Sequence, residues 1–87
     1  MYFIIYYSEW YNTPDGWEED KDKIVIVGYD NAINKLHNLM SCPSEYVDVV
    51  DIDMRHGKIA EDGEIIPDGD SIISMKYRRE TNSWEKI

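Results

Sequence analysis

Eighteen carboxylates stand against nine lysines and arginines in 87 residues, so the chemistry open to this chain is first of all that of acids. A hydrolytic or phosphoryl-transfer site needs a nucleophile beside a base, or carboxylates converging on a metal. Asp51 and Asp53, two apart in EYVDVVDIDM, project from one face of a strand about 7 Å apart. With a loop carboxylate such as Glu64 they outline a metal-dependent hydrolase. Asp51-x-Asp53 also opens like an EF-hand loop, but Arg55 takes the third ligand position and Gly57 comes one residue late. Glu19-Asp20-Lys21 and Pro14-Asp15 copy the two halves of a metal-dependent nuclease motif, yet lie too close together in a turn-rich stretch. A zinc site would have to unite His37, His56, Cys42 and a carboxylate, and His37 is expected at the helix boundary, His56 in a turn. Cys42 has no base beside it in sequence and reads as an ordinary buried thiol. The five glycines are scattered singly, so there is no phosphate-binding loop. These residues assign no catalytic group, no metal and no cofactor.

The elements that position the acids are organised around Ile24–Met40. Ile24 to Val27 is a β-branched run suited to a strand, and Gly28 ends it. Asp30 is expected to cap a helix over about 30–41, with Ala32, Ile33, Leu36, Leu39 and Met40 on its apolar side. Tyr2 to Tyr7 is apolar on both alternating sets, as in a central or doubly covered strand. Ser8 to Lys23 reads as a long hairpin tip or an irregular loop around Pro14-Asp15-Gly16. Pro43 should stop the helix at Cys42. Glu45 to Met54 reads as a strand with a bulge near Val49-Val50, because Asp48 interrupts its apolar face. Arg55 to Lys58 reads as a tight turn into a short strand at Ile59-Ala60, Glu61 to Asp70 as loop, and Ser71 to Arg78 as the last clear strand. Arg79 to Ile87 should be loose unless Trp84 docks. The order β-β-α-β-β-β predicts one α+β domain over residues 1–87: a mainly antiparallel sheet of four to five strands with the helix on one face. The other face would be open to water or a partner, with an exposed aromatic patch.

Composition narrows the function classes. With 43% hydrophobic residues the chain can fold unaided, and the lone Cys42 fits a reducing cytoplasm. No apolar run approaches the roughly 20 residues of a membrane span, and MYFIIYY lacks the basic start of a signal peptide. The formal net charge of −9 disfavours direct contact with nucleic-acid phosphates or anionic membranes and favours a basic protein surface. Acidity also serves solubility, and turn aspartates serve turns. Oligomeric state is not legible.

The charge is segregated. Ser8 to Lys23 holds six carboxylates against Lys21 and Lys23, interleaved with Trp10, Tyr11 and Trp17; Glu45 to Asp70 holds nine against Arg55 and Lys58. Strand carboxylates two apart repeat about every 7 Å, comparable to the phosphates along a nucleic-acid strand. In size, charge and simple α+β build the chain resembles the small acidic proteins that phages encode against bacterial defence systems. Those include anti-CRISPR proteins, some of them nucleic-acid mimics. It also looks like the immunity proteins of nuclease toxins. The resemblance implies a non-enzymatic inhibitor of a basic nucleic-acid-binding protein or nuclease. The residues expected at the contact are Trp10, Tyr11, Trp17, Glu18, Glu19, Asp20, Asp51 and Asp53, aromatic anchors with an acidic rim. A metal-dependent hydrolase, or an assembly subunit associating through the first strand, are the other classes.

Overall fold

In the computed structural model, which describes residues 1–41, 43 and 45–87, alternation carries the first strand well past Tyr7. Strand β1 spans Tyr2–Thr13 and pairs antiparallel along its whole length with β2, Gly16–Val27. Only Pro14 and Asp15 lie between them, and Gly16 takes the positive φ of 117° that closes the turn. The stretch Ser8 to Lys23 is therefore a ladder and not an irregular loop. Its sequence hides this because a hairpin wet on both faces needs no apolar alternation.

Helix α1 (Tyr29–Ser41) follows directly. Gly28, at φ 91°, provides the cap in place of Asp30: its carbonyl accepts the Ala32 N–H at 3.1 Å. Ala32 and Leu36 are buried against Phe3, Ile5, Val47, Val50, Ile52, Met54 and Tyr77, with Ile33, Leu39 and Met40 half-buried at the margin. Burying a side chain such as Phe3 or Ile5 stabilises the fold by about 1.5–3 kcal/mol each. The expectations for Cys42, that the helix stops there and that its thiol is buried, lie outside the described residues.

Strands β3 (Val49–Ile59), β4 (Ile65–Arg78) and β5 (Ser83–Lys86) complete one antiparallel sheet in the order β2-β1-β3-β4-β5. Pairing of neighbours in sequence accounts for every ladder except β1 with β3. Three local expectations are corrected here. Arg55 to Lys58 belongs to β3 and is no turn; the turn comes after Ala60, where Gly63 N–H bonds the Ala60 carbonyl. Most of Glu61 to Asp70 is strand from Ile65 onward. The register breaks between Met54 and Gly57 rather than at Val49-Val50, and the extra residues sit on β4 around Gly69 (φ 90°) and Ile72. The tail is held: Trp84 packs on Tyr77 (5.4 Å between ring centroids) and its indole N–H bonds the Met40 carbonyl at 3.1 Å, satisfying an orphan acceptor at the helix end.

The bulge bends the far end of the β3–β4 hairpin back across the face opposite the helix. Lys23 on β2 reaches over to donate to the Ile65 carbonyl at 2.8 Å and to pair with Glu64 at 3.5 Å. Beneath this bend Ile4, which alternation points away from the helix, is 0% exposed. A small second core thus lies on the otherwise open face, and Gly57 is where it is tightest: a Cβ there would come 2.8 Å from Ile65 Cγ2 and 3.2 Å from Ile4 Cγ1. No helix among the described residues is long and apolar enough to cross a membrane.

Candidate functional site

Period-two alternation decides where the candidate residues go. On β1 and β2 the residues facing the helix side are Tyr7, Glu9 and Tyr11 opposite Asp22, Asp20 and Glu18, respectively; those facing the open side include Trp10 opposite Glu19 and Asn12 opposite Trp17. Tyr11, Glu18 and Asp20 therefore share one face, and Trp10, Trp17, Glu19, Asp51 and Asp53 the other. The eight residues that sequence grouped together form two surfaces on opposite sides of the sheet.

The helix-side surface is a ribbon of four carboxylates. Glu9 and Asp20 stand directly across from each other, flanked diagonally by Glu18 and Asp22. None of the four forms an ion pair among the described residues; Lys21, the nearest basic side chain in sequence, pairs with Glu19 on the opposite face at 3.2 Å. Tyr11 donates its hydroxyl to Glu9 at 2.8 Å. That bond, with some burial and the charges of Glu9 and Asp20, raises the Tyr11 pKa. Burial first, then the Glu9 carboxylate, pushes Tyr7 up to about 12. Both phenols stay neutral hydrogen-bond donors beside the acids across the physiological range.

The open-face carboxylates are already engaged. Asp51 accepts the Trp10 indole N–H at 3.1 Å and pairs with Lys76 at 3.5 Å. Asp53 accepts Arg55 Nε at 2.6 Å, Ser74 Oγ at 2.8 Å and the Ser71 hydroxyl. Glu64, the proposed third metal ligand, is paired with Lys23 at the bent end of the β3–β4 hairpin. Among the described residues no three His, Cys, Asp or Glu side chains are grouped to hold a metal, and no charged side chain is buried. His56, placed by sequence in a turn, lies on β3 with its ring 5.1 Å from that of Phe3.

The chain matches no family model, no curated protein and no solved structure.

Asp53 pins the bulge, which gives a pH prediction. Burial pushes its carboxyl up, but the hydrogen bonds from Arg55, Ser71 and Ser74 together with the Arg55 charge outweigh that and hold it below the usual aspartate value. A depressed native pKa contributes stability that is full above the unfolded value near 4 and is lost as pH falls through the native one. Wild type should lose stability below about pH 4 more steeply than Asp53→Asn. Parallel acid titrations of the two proteins by circular dichroism check this; superimposable curves would contradict it.

Sequence reasoning misses Asp48 as a structural residue. Its N–H donates to the Trp10 carbonyl and its own carbonyl accepts from Arg79 N–H, both at 2.9 Å; its carboxylate accepts Asn12 N–H at 2.8 Å and pairs with the Arg79 guanidinium at 3.0 Å. One aspartate thereby ties β1 to the end of β4. The signal is the polar interruption of an apolar run, which sequence alone reads as a bulge.

Proposed function

We propose that this chain is a non-enzymatic inhibitor that binds a basic, nucleic-acid-handling protein through the acidic face of the β1–β2 arm. The observation that carries this reading is the unneutralised ribbon of Glu9, Glu18, Asp20 and Asp22. Like charges directly across a strand pair are destabilising. Within the described fold Glu9 receives the Tyr11 hydroxyl but no cation reaches the pair Glu9/Asp20, whereas a cationic groove built for phosphates would supply one. Regular spacing along a stiff ladder suits such a groove, and the free charge steers the encounter. In the second acidic segment the acids of β3 are spent on Lys76 and Arg55, and Asp48 on Arg79, which favours the aligned ribbon of the first segment as the contact. The resemblance in size and charge to phage-encoded inhibitors of bacterial defence systems, anti-CRISPR proteins among them, and to nuclease immunity proteins supports the same class, acting in the cytoplasm.

Affinity capture from bacterial lysate tests this. The expected result is retention of nucleic-acid-binding proteins that are released by rising salt and competed off by added duplex DNA or RNA. Capture indifferent to salt and to nucleic acid would exclude the proposal.

A further inference from the structure

Trp17 stands on the open face of the arm, 56% exposed, as the shared wall of two cavities. One, of about 310 Å³, lies between Trp17 and Trp10, over Val49 and beside Asp51 and Lys76. The other, of about 340 Å³, lies toward Asn12, Asp48, Arg78 and Glu80. The indole therefore offers ring surface to a ligand on either side, which a tryptophan laid flat on a core cannot do.

The charges around it select the ligand. Both cations of the groove are occupied: Lys76 pairs with Asp51 at 3.5 Å and Arg78 with Glu85 at 3.6 Å. Asp48 is taken by Arg79 and by the Asn12 N–H. Glu80 forms no ion pair or side-chain hydrogen bond among the described residues, so the uncompensated charge of the groove is negative. An accessible indole next to a free carboxylate presents the two features a guanidinium recognises: a π face to stack on and a fork-shaped acceptor. An ammonium, compact and strongly hydrated, uses only the second. The net charge of −9 disfavours an anionic occupant on the same grounds.

We propose that the groove astride Trp17 binds an arginine side chain of a basic partner, its guanidinium stacked on the indole and held by the Glu80 carboxylate. The nature of the partner rests on the function proposed above; the chemistry of the groove does not. The arm then engages its partner from both sides, with the acidic ribbon steering and the tryptophan groove anchoring.

The test is an NMR titration of the full chain, following the indole N–H signals of Trp10, Trp17 and Trp84. The probe is the blocked tripeptide Gly-Arg-Gly, with lysine and citrulline versions as controls. The Trp17 signal should shift with the arginine peptide, and that of Trp84, bonded to Met40 on the other side of the sheet, should not. Citrulline keeps the planar shape without charge and should bind at least about tenfold more weakly; the lysine peptide should fall between. Glu80→Gln should weaken the arginine response severalfold, and Trp17→Ala should remove the response at Trp10 without changing the melting temperature. No response to millimolar arginine peptide, equal responses to arginine and citrulline, or a response at Trp84 alone would overturn the proposal. The double variant Glu18→Gln/Asp20→Asn separates the two readings. It should keep the arginine response while losing salt-sensitive capture of a lysate partner. Capture that persists in wild type when the peptide fails would sink the groove and leave the function standing.

Discussion

Valine at position 57 is expected to lower the melting temperature by roughly 5–20 °C, the range that follows from about 1–3 kcal/mol of overpacking in a domain of this size. Gly57 is needed here for space. Its φ is ordinary for any residue, but the first carbon of a side chain would fall inside contact distance of Ile65 and Ile4. Neither neighbour can retreat easily: Ile4 is fully buried and Ile65 is held through its carbonyl by Lys23. Gly57→Ala should cost less than valine, and shortening Ile65 to alanine in the same chain should recover part of that loss, a coupling that a double-mutant cycle measures. An unchanged melting temperature in Gly57→Val would mean that the bent end of the hairpin does not close over Ile4. Because that end is far along the sheet from Trp10 and Trp17, capture of a partner should survive in any variant that still folds.

The second large effect is on association. The triple variant Glu18→Gln/Asp20→Asn/Asp22→Asn should bind a basic partner more slowly by about one to two orders of magnitude at low salt, with a flatter salt dependence. The same variant should be slightly more stable than wild type, by a few tenths of a kcal/mol for each relieved like-charge contact. Asp22→Asn retains the side-chain oxygen that accepts the Lys23 N–H, so the edge of β2 is undisturbed. Stopped-flow binding and thermal melts on one preparation measure both quantities. Slower association with lower stability would reassign the ribbon to a structural role, and unchanged association would remove it from the contact.

The fold is legible where burial writes a pattern. The 3.6-residue stripe of α1 and the β-branched runs at Tyr2–Tyr7 and Ile24–Val27 name the helix and its supporting strands, because those side chains must face a core. The β1–β2 arm is half legible: Pro14-Asp15-Gly16 leaves a long hairpin tip or an irregular loop open, and since its outer half faces water on both sides, burial writes no pattern that decides between them. The bent β3–β4 end misleads for a different reason. Asp62-Gly63 and Asp68-Gly69 carry the same turn signal, yet only the first is a turn; the second is a bulge within a strand. The candidate site shows the same limit. Trp10, Trp17 and the acids of the arm can be found by type, but which of them share a face depends on a register that only the two-residue turn at Pro14-Asp15 establishes. Asp51 and Asp53 look like free ligands in sequence because Trp10, Lys76, Ser71 and Ser74 are distant along the chain.

The pairing order β2-β1-β3-β4-β5 also says how the chain has to assemble. Two ribbons, β1–β2 before the helix and β3–β4–β5 after it, are each wired between sequence neighbours through short turns. Such hairpins form in microseconds. The seam between them, β1 on β3, joins residues as distant as Tyr2 and Gly57. The connection across it runs through α1, and closing it brings Phe3 and Ile5 together with Ile52 and Met54. The folding rate is therefore expected to follow a single long-range docking event. Mutations along the seam should slow folding, whereas mutations within the acidic arm should leave the folding rate nearly unchanged.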